Sequence, residues 1–254
     1  MIQGRLCVVW PMYSFPPVPD PSAETSISPT HVIIGSSAGI GNALVRHSLN
    51  IGQRVFGVSR GEIDLPGTAY THIIGDARDP AAFVSFLPRK FEYLTFCPGQ
   101  IFLGSMRRTT PADLLKSFEA NVVDAYRVIS ALRNHITKSI VLISSVAAKV
   151  GIPNHSAISA SKSALEGLVR TMAAELAPRI RVNAVAPTLS PTATATNLVG
   201  GEEALSKISA LHPLKTLPSP EEVASAISFF HTSAHSVTGQ SFAVDSGMST
   251  LNTP

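Results

Sequence analysis

Two groups of residues in this chain have the types and spacing for chemistry. The first is Gly35-Ser36-Ser37-Ala38-Gly39-Ile40-Gly41, directly after the apolar run His31-Val-Ile-Ile34. A glycine-rich turn between a strand and a helix lets the backbone approach a pyrophosphate. Its N–H groups and the positive helix end can then hold the anion. The second group is Ser145 and Lys162, a hydroxyl and an ammonium, with Ile158 four residues before the lysine. Hydroxyl and ammonium together can stabilise a developing oxyanion. Isoleucine neither gives nor takes a proton. Ser59-Arg60 adds a hydroxyl and a guanidinium after the next apolar run. Arginine offers several fixed donors, which suit a phosphate.

These residues need elements to position them, and the chain alternates accordingly. Short apolar runs are expected as strands at His31–Gly35, Arg54–Ser59, Thr71–Gly75, Tyr93–Cys97, Ser139–Ser144, Arg181–Ala186 and Ser241–Asp245. Between them, apolar residues recur at helical spacing. Ile40, Leu44, Val45 and Leu49 mark a helix closed by Gly52. Pro111-Ala-Asp113 opens one running to about Leu132. Ser159 to about Ala177 is another, and Pro220 to about Phe230 another. Near-continuous apolar strands alternating with helices predict a mostly parallel sheet of about seven strands, covered on both faces. With right-handed crossovers this is a single-domain, doubly wound Rossmann-type fold. The domain is read as residues 30–254. Six prolines punctuate residues 1–29, which are read as a Pro/Ser-rich leader, loosely ordered.

The segment from Ser145 to Lys162 resembles the active-site segment of the short-chain dehydrogenase/reductases, and the resemblance extends over about residues 31–250. In that family a serine is followed thirteen residues on by tyrosine and four later by lysine. Ile158 occupies the tyrosine slot. The spacing Gly35-x-x-x-Gly39-x-Gly41 is the family's version of the nucleotide turn, in which Ser37 and Ile40 also lie. The resemblance assigns roles by position. Asn121 helps organise a proton relay, Ser145 orients the substrate oxygen, and Lys162 binds the nicotinamide ribose. Asp76-Ala77 contacts adenine. Gly99 keeps the family's loop glycine, although Phe96-Cys97-Pro98 replaces its Asn-Asn-Ala. Pro187 ends the strand beside the nicotinamide, where Thr188 stands in place of glycine. Thr192 contacts the carboxamide.

No acidic residue follows the second strand, where NAD enzymes tend to hold the ribose 2′-hydroxyl. Ser59-Arg60 therefore favours NADP(H) over NAD(H). For the missing acid, His155 is the expected stand-in, three residues before Ile158 in a loop bordering the cleft. Tyr126 and His212 rank below it. Ser190 and Thr188 can hydrogen-bond a substrate but are poor acids. Cys97 reads as a buried filler.

Composition narrows the alternatives. The chain has 254 residues, 20 basic and 17 acidic, with a formal net charge of +3 and no dense Lys/Arg run. Nucleic-acid binding is not expected. No apolar run is long enough to span a bilayer, and no secretory signal is recognisable. Two cysteines, Cys7 and Cys97, form neither a disulfide framework nor a metal cluster, which fits a reducing, cytoplasmic setting.

The resulting expectation is an NADP(H)-dependent oxidoreductase with an atypical active site. It would reduce a small, apolar carbonyl, enone or imine. The alternative is a cofactor-binding pseudoenzyme, or a non-redox cyclase or isomerase on the same scaffold. The resemblance also implies a homodimer or homotetramer, paired through the helices near 113–132 and 159–177.

Overall fold

The computed structural model describes residues 28–63, 65 and 67–252. Most of the Pro/Ser-rich leader, and Cys7 with it, lie outside the described residues. Strands β1 (Thr30–Ile34), β2 (Arg54–Ser59), β3 (Tyr70–Ile74), β4 (Phe91–Phe96), β5 (Ile136–Ile143), β6 (Arg181–Pro187) and β7 (Ser241–Val244) form one seven-stranded sheet. The order is β3-β2-β1-β4-β5-β6-β7, and every pairing is parallel. The expected single-domain doubly wound fold is the observed one. Chain order reverses between β1 and β4, so the crevice beyond their carboxyl ends is where such sheets take ligands.

Helices cover both faces. On one, α1 (Gly39–Asn50) packs on α8 (Pro220–Thr232), joining Leu44 and Val45 to Val223, Ile227 and Phe230. On the other lie α3 (Pro111–Phe118), α4 (Asp124–Leu132) and α5 (Ser156–Leu176), after the short α2 (Ala81–Val84). Here Val128, Leu132, Leu165 and Val169 meet Leu94, Ile140 and Leu142 of the sheet. Each such fully buried side chain stabilises the fold by roughly 1.5–3 kcal/mol relative to exposure. Helix starts and stops follow local chemistry. Gly52, at φ +80°, takes the left-handed position after α1. Thr110 with Asp113, and Ser219 with Glu222, form capping boxes ahead of a first-turn proline.

Three local features differ from the sequence expectation. The helix expected from Pro111 to Leu132 is interrupted by a π-turn, Glu119–Val123. There Asn121 Nδ2 donates to the Ser117 carbonyl at 2.9 Å, and a side chain inserted into the ladder widens a helix. Helix α5 begins at Ser156 rather than Ser159. Asn154, at φ +66°, turns the chain so that His155 is the N-cap and Ile158 falls in the first turn. The Thr/Ala/Pro-rich stretch after β6 carries two helices, α6 (Ala193–Val199) and α7 (Glu202–Leu211), divided by Gly200 and Gly201 at positive φ.

Candidate active site

At the sheet's switch point, Gly35 sits at φ +81° and the turn leads into α1. A Cβ on Gly41 would lie 2.0 Å from the Gly35 carbonyl oxygen, so no side chain fits there. Ala38, the N-cap of α1, has no side-chain cap, and the first turn carries no acidic residue. The first-turn N–H groups thus keep their positive character for an anion. Gly35 and Ser37 line a cavity of about 500 Å³ with Ser59, Arg60, Asp76, Ala77 and Gly99.

Two details of this cavity were not read from the sequence. The Ser59 hydroxyl donates to the Gly61 carbonyl at 2.7 Å. Asp76 is held by Arg78, whose guanidinium donates to it at 2.6 Å and whose backbone N–H donates at 2.9 Å. Those hydrogen bonds lower the Asp76 carboxyl to about 2, with the positive charge of Arg60 adding to the effect. Arg78 therefore places a second guanidinium beside Arg60. The only sequence signal was its position two residues after Asp76.

A second cavity, about 510 Å³, adjoins the first at Gly99, which lines both. A Cβ on Gly99 would lie 2.7 Å from Asn121 Oδ1 and 3.3 Å from Lys162 Nζ. The bare backbone thus lets both groups converge on it. Lys162 is buried and donates to the Ile143 carbonyl at 2.7 Å. Burial lowers its ammonium to about 8, and the nearby Cys97 partly opposes the shift. Asn121 donates to the Gln100 carbonyl at 3.0 Å, while its Oδ1 is buried with no protein partner. An unmatched buried acceptor is costly, so this atom is available to a donor. Burial pushes the Cys97 thiol up to about 12, which fits a small filler rather than a reactive group.

Ser145, Ile158, Pro187, Thr192 and His155 line the same cavity as Lys162. Ser145 Oγ accepts from the Ala147 N–H at 3.2 Å, leaving its own hydrogen free to point elsewhere. Ile158 and Lys162 are one helical turn apart on α5 and share a face. His155 is partly exposed at the helix start, and its Nδ1 donates to the Pro153 carbonyl at 2.7 Å. Thr192 caps α6 through the Ala195 N–H. Its methyl would lie 3.1 Å from a Cβ on Gly39, so the α6 start closes over the nucleotide turn. Ile40 also lines this cavity. Tyr126 is 55% exposed and lines neither cavity. His212 is buried and paired with Thr188, a contact across 24 residues that no local pattern signals. Most of the remaining lining is apolar, including Ile101, Leu103, Ile152, Leu189, Leu198 and Leu211.

A family model described as enoyl-(acyl carrier protein) reductase matches residues 90–249. A tropinone reductase homolog from Arabidopsis thaliana is 29% identical over 240 residues, spanning 86% of this chain and 74% of the homolog. Carbonyl reductase [NADPH] 2 from Sus scrofa is 32% identical over 146 residues, 55% of this chain and 60% of that enzyme. A short chain dehydrogenase family protein from Francisella tularensis superposes with a TM-score of 0.81. At 24% identity, covering 88% of this chain and 100% of that protein, it shows the shared fold.

Proposed function

Because the chain belongs to the short-chain dehydrogenase/reductase superfamily, we propose that it is an NADP(H)-dependent reductase of a small, neutral, apolar carbonyl, enone or imine. When bound, the reduced nicotinamide supplies a hydride; the chain's own residues hold, orient and shield the reactants. Gly35, Ser37, Gly39, Ile40 and Gly41 would hold the pyrophosphate end. Ser59 and Arg60 would take the 2′-phosphate, and Asp76 and Ala77 would border the adenine. Lys162, Gly99, Pro187 and Thr192 would hold the nicotinamide end, with Asn121 and Ser145 serving the reacting oxygen.

The observation that carries this reading is the junction at Gly99, where Lys162 Nζ and the unpartnered Asn121 Oδ1 converge between two cavities. One cavity is polar and bears Arg60 and Arg78; the other is mostly apolar. The preference for NADP(H) is supported by Arg60 and by the NADPH that the Sus scrofa carbonyl reductase is named for. The mostly apolar walls, in which Lys162 is the only charged residue aside from the histidines among the described residues, support a neutral substrate.

A melting-temperature comparison with NADPH and NADH tests the binding step, since a ligand of the folded state raises stability. NADPH consumption with ketones, enones and imines then tests turnover, which Lys162→Ala should abolish or strongly reduce. Undiminished turnover in that variant would count against the assignment.

One observation favours a second reading. Ile158 sits on the cavity wall a turn from Lys162, where it can transfer no proton. A cofactor-binding scaffold for isomerisation or cyclisation would form product without net NADPH consumption.

The domain proper is proposed to span residues 30–254, with residues 1–29 as an appended leader, in a cytoplasmic protein. Among the described residues no helix is long and apolar enough to cross a membrane. A homodimer or homotetramer is proposed through α3–α4 and α5, with Leu115, Phe118 and Tyr126 exposed on the first two. Light scattering on a Leu115→Glu, Phe118→Glu variant should report the dissociated chain.

A further inference from the structure

We propose that Thr188 and His212 deliver the proton in this active site, the part that Ile158 cannot play; the proposal rests on the reductase reading above. His212 lies at the end of α7, almost fully buried, with its Nδ1 2.9 Å from the Ile208 carbonyl oxygen. A carbonyl only accepts, so Nδ1 carries the hydrogen. In the neutral ring Nε2 is then a lone-pair acceptor, and it faces the Thr188 hydroxyl at 3.0 Å. Thr188 is half-buried, and both it and the buried His212 line the apolar cavity. A hydroxyl backed by an imidazole whose far nitrogen is fixed by an acceptor is the general form of an activated proton-transfer pair.

The sheet positions this pair beside Ser145. Ile143 pairs with Val185 in register, and the Ser144 N–H donates to the Val185 carbonyl at 2.7 Å. Continuing that register puts Ser145 opposite Pro187, and Thr188 follows it. The Thr188 N–H donates to the Val244 carbonyl, which holds its backbone against β7. Two other hydroxyls of the cavity already have protein partners. Ser190 donates to the Pro218 carbonyl, and Thr192 caps α6. Met248 Sδ, 3.3 Å from Thr188 Oγ1, is a weak alternative acceptor. His155 stands at the partly exposed helix start with no hydroxyl hydrogen-bonded to its ring.

The step balances as follows for a ketone. The carbonyl carbon gains hydride, two electrons and one hydrogen, with the reduced nicotinamide as reductant. The C=O π pair localises on oxygen. Before the step the resting neutral His212 takes a solvent proton on Nε2; the Thr188 O–H bond then breaks as its proton moves to the substrate oxygen, and Thr188 Oγ1 takes the Nε2 proton. His212 is left neutral with Nδ1–H on Ile208, and solvent entering the cavity restores its proton. For an enone the same proton goes to the enolate oxygen, and the carbon is protonated later.

The test uses the full chain with Thr188→Val, Thr188→Ser and His212→Gln, assayed with NADPH and cyclohexanone, cyclohexenone and a cyclic imine. Thr188→Val should lower kcat by about 100-fold or more on the oxygen-centred substrates. KM and the NADPH-induced melting shift should stay near the parent's, and the solvent deuterium isotope effect on kcat should change. Thr188→Ser, which keeps the hydroxyl, should restore most of the rate. Nitrogen-15 NMR of the unliganded protein should find His212 as the Nδ1–H tautomer, with its Nε2 resonance moved by Thr188→Val. A Thr188→Val enzyme within about twofold of the parent, or His212 as the Nε2–H tautomer, overturns the relay and leaves the reductase reading intact. Loss of rate in His155→Ala but not in Thr188→Val assigns the proton to the rim histidine and also overturns it. A parent protein that consumes no NADPH with any of the three substrates overturns the reductase reading and the relay together.

Discussion

Lys162 Nζ donates to the Ile143 carbonyl at 2.7 Å, joining the second turn of α5 to the tip of β5. The bond holds a buried ammonium at the junction of the two cavities, and burial lowers that group to about 8. The folded value lies below the unfolded one near 10.4. Near neutral pH the charge therefore disfavours the folded state, on the order of 3 kcal/mol. The penalty is relieved as pH rises from about 8 to about 10.4. Lys162→Met removes the charge but leaves the Ile143 carbonyl without this donor, which costs roughly 1–3 kcal/mol. We expect a net gain, seen as a melting temperature about 2–4 °C higher at pH 7, with cofactor affinity and turnover reduced. The gain should shrink by pH 10. A lower melting temperature at pH 7 would mean that the ammonium is a net structural support.

Ile158→Tyr is expected to confer or raise ketone reduction. The residue lies on the cavity wall, one turn before Lys162 and on its face of α5. A phenol there would face the large cavity with an ammonium nearby to favour its ionised form. A positioned acid is worth about 10²–10⁴-fold, so even partial alignment should show in an NADPH assay on a simple ketone. A variant that binds NADPH yet reduces no generic ketone would indicate that the pocket has diverged in shape.

Sequence periodicity located the sheet because its strands are buried on both faces and read as continuous apolar runs, as in Val32-Ile-Ile34 and Ile140-Val-Leu-Ile143. The nucleotide turn was legible because close backbone approach requires glycine at Gly41. Ser145, Ile158 and Lys162 were legible as a spacing, and the fold brings all three to one cavity. What stayed hidden depends on contacts between distant segments. Thr188 and His212 meet only because α7 folds back over the end of β6. The Arg78 clamp on Asp76 is a matter of loop geometry, and the π-turn arises from a side chain competing for one carbonyl. Helix α6 was unread because its Thr and Ala residues carry little apolar pattern, and α7, although amphipathic, is a short piece set off by Gly200-Gly201.

Arg60→Ala should reduce affinity for NADPH by about tenfold or more while changing NADH binding little. Arg60 is exposed on the wall of the polar cavity, next to the Ser59 end of β2. Arg78 already serves Asp76, whereas Arg60 has no ion-pair partner among the described residues. Titration followed by intrinsic or cofactor fluorescence would give both affinities. Equal losses for the two cofactors would place Arg60 on a part they share, and no loss would remove the basis for NADP(H) selectivity.

Acid should destabilise the fold below about pH 6.5, through two histidines remote from the active site. His31 Nε2 and His231 Nε2 each lie 2.8 Å from Thr95 Oγ1. His31 Nδ1 approaches Gln53 Oε1 at 3.3 Å, an acceptor, so its Nδ1 carries the hydrogen. The Thr95 hydroxyl then donates to His31 Nε2, and the His231 Nε2–H donates to Thr95. Ser139 donates in turn to His231 Nδ1 at 2.8 Å. In this arrangement both rings are neutral, and an added proton on His31 would have to reverse the Thr95, His231 and Ser139 bonds together. Burial lowers His31 to about 3 and His231 well below its ordinary value, and neighbouring positive charge adds to the shift in His231. Above about pH 6.5 both are neutral folded or unfolded, so they contribute no pH dependence. Below it the unfolded chain binds protons that the folded chain refuses, and stability falls as pH falls. For His31 alone the loss is on the order of 2 kcal/mol by pH 5. Urea midpoints measured from pH 8 to pH 5 should decline mainly below 6.5. His31→Gln should be less stable at pH 8 but lose less on acidification. A parent midpoint flat to pH 5 would show that the two imidazoles take up protons as readily in the fold as in the open chain.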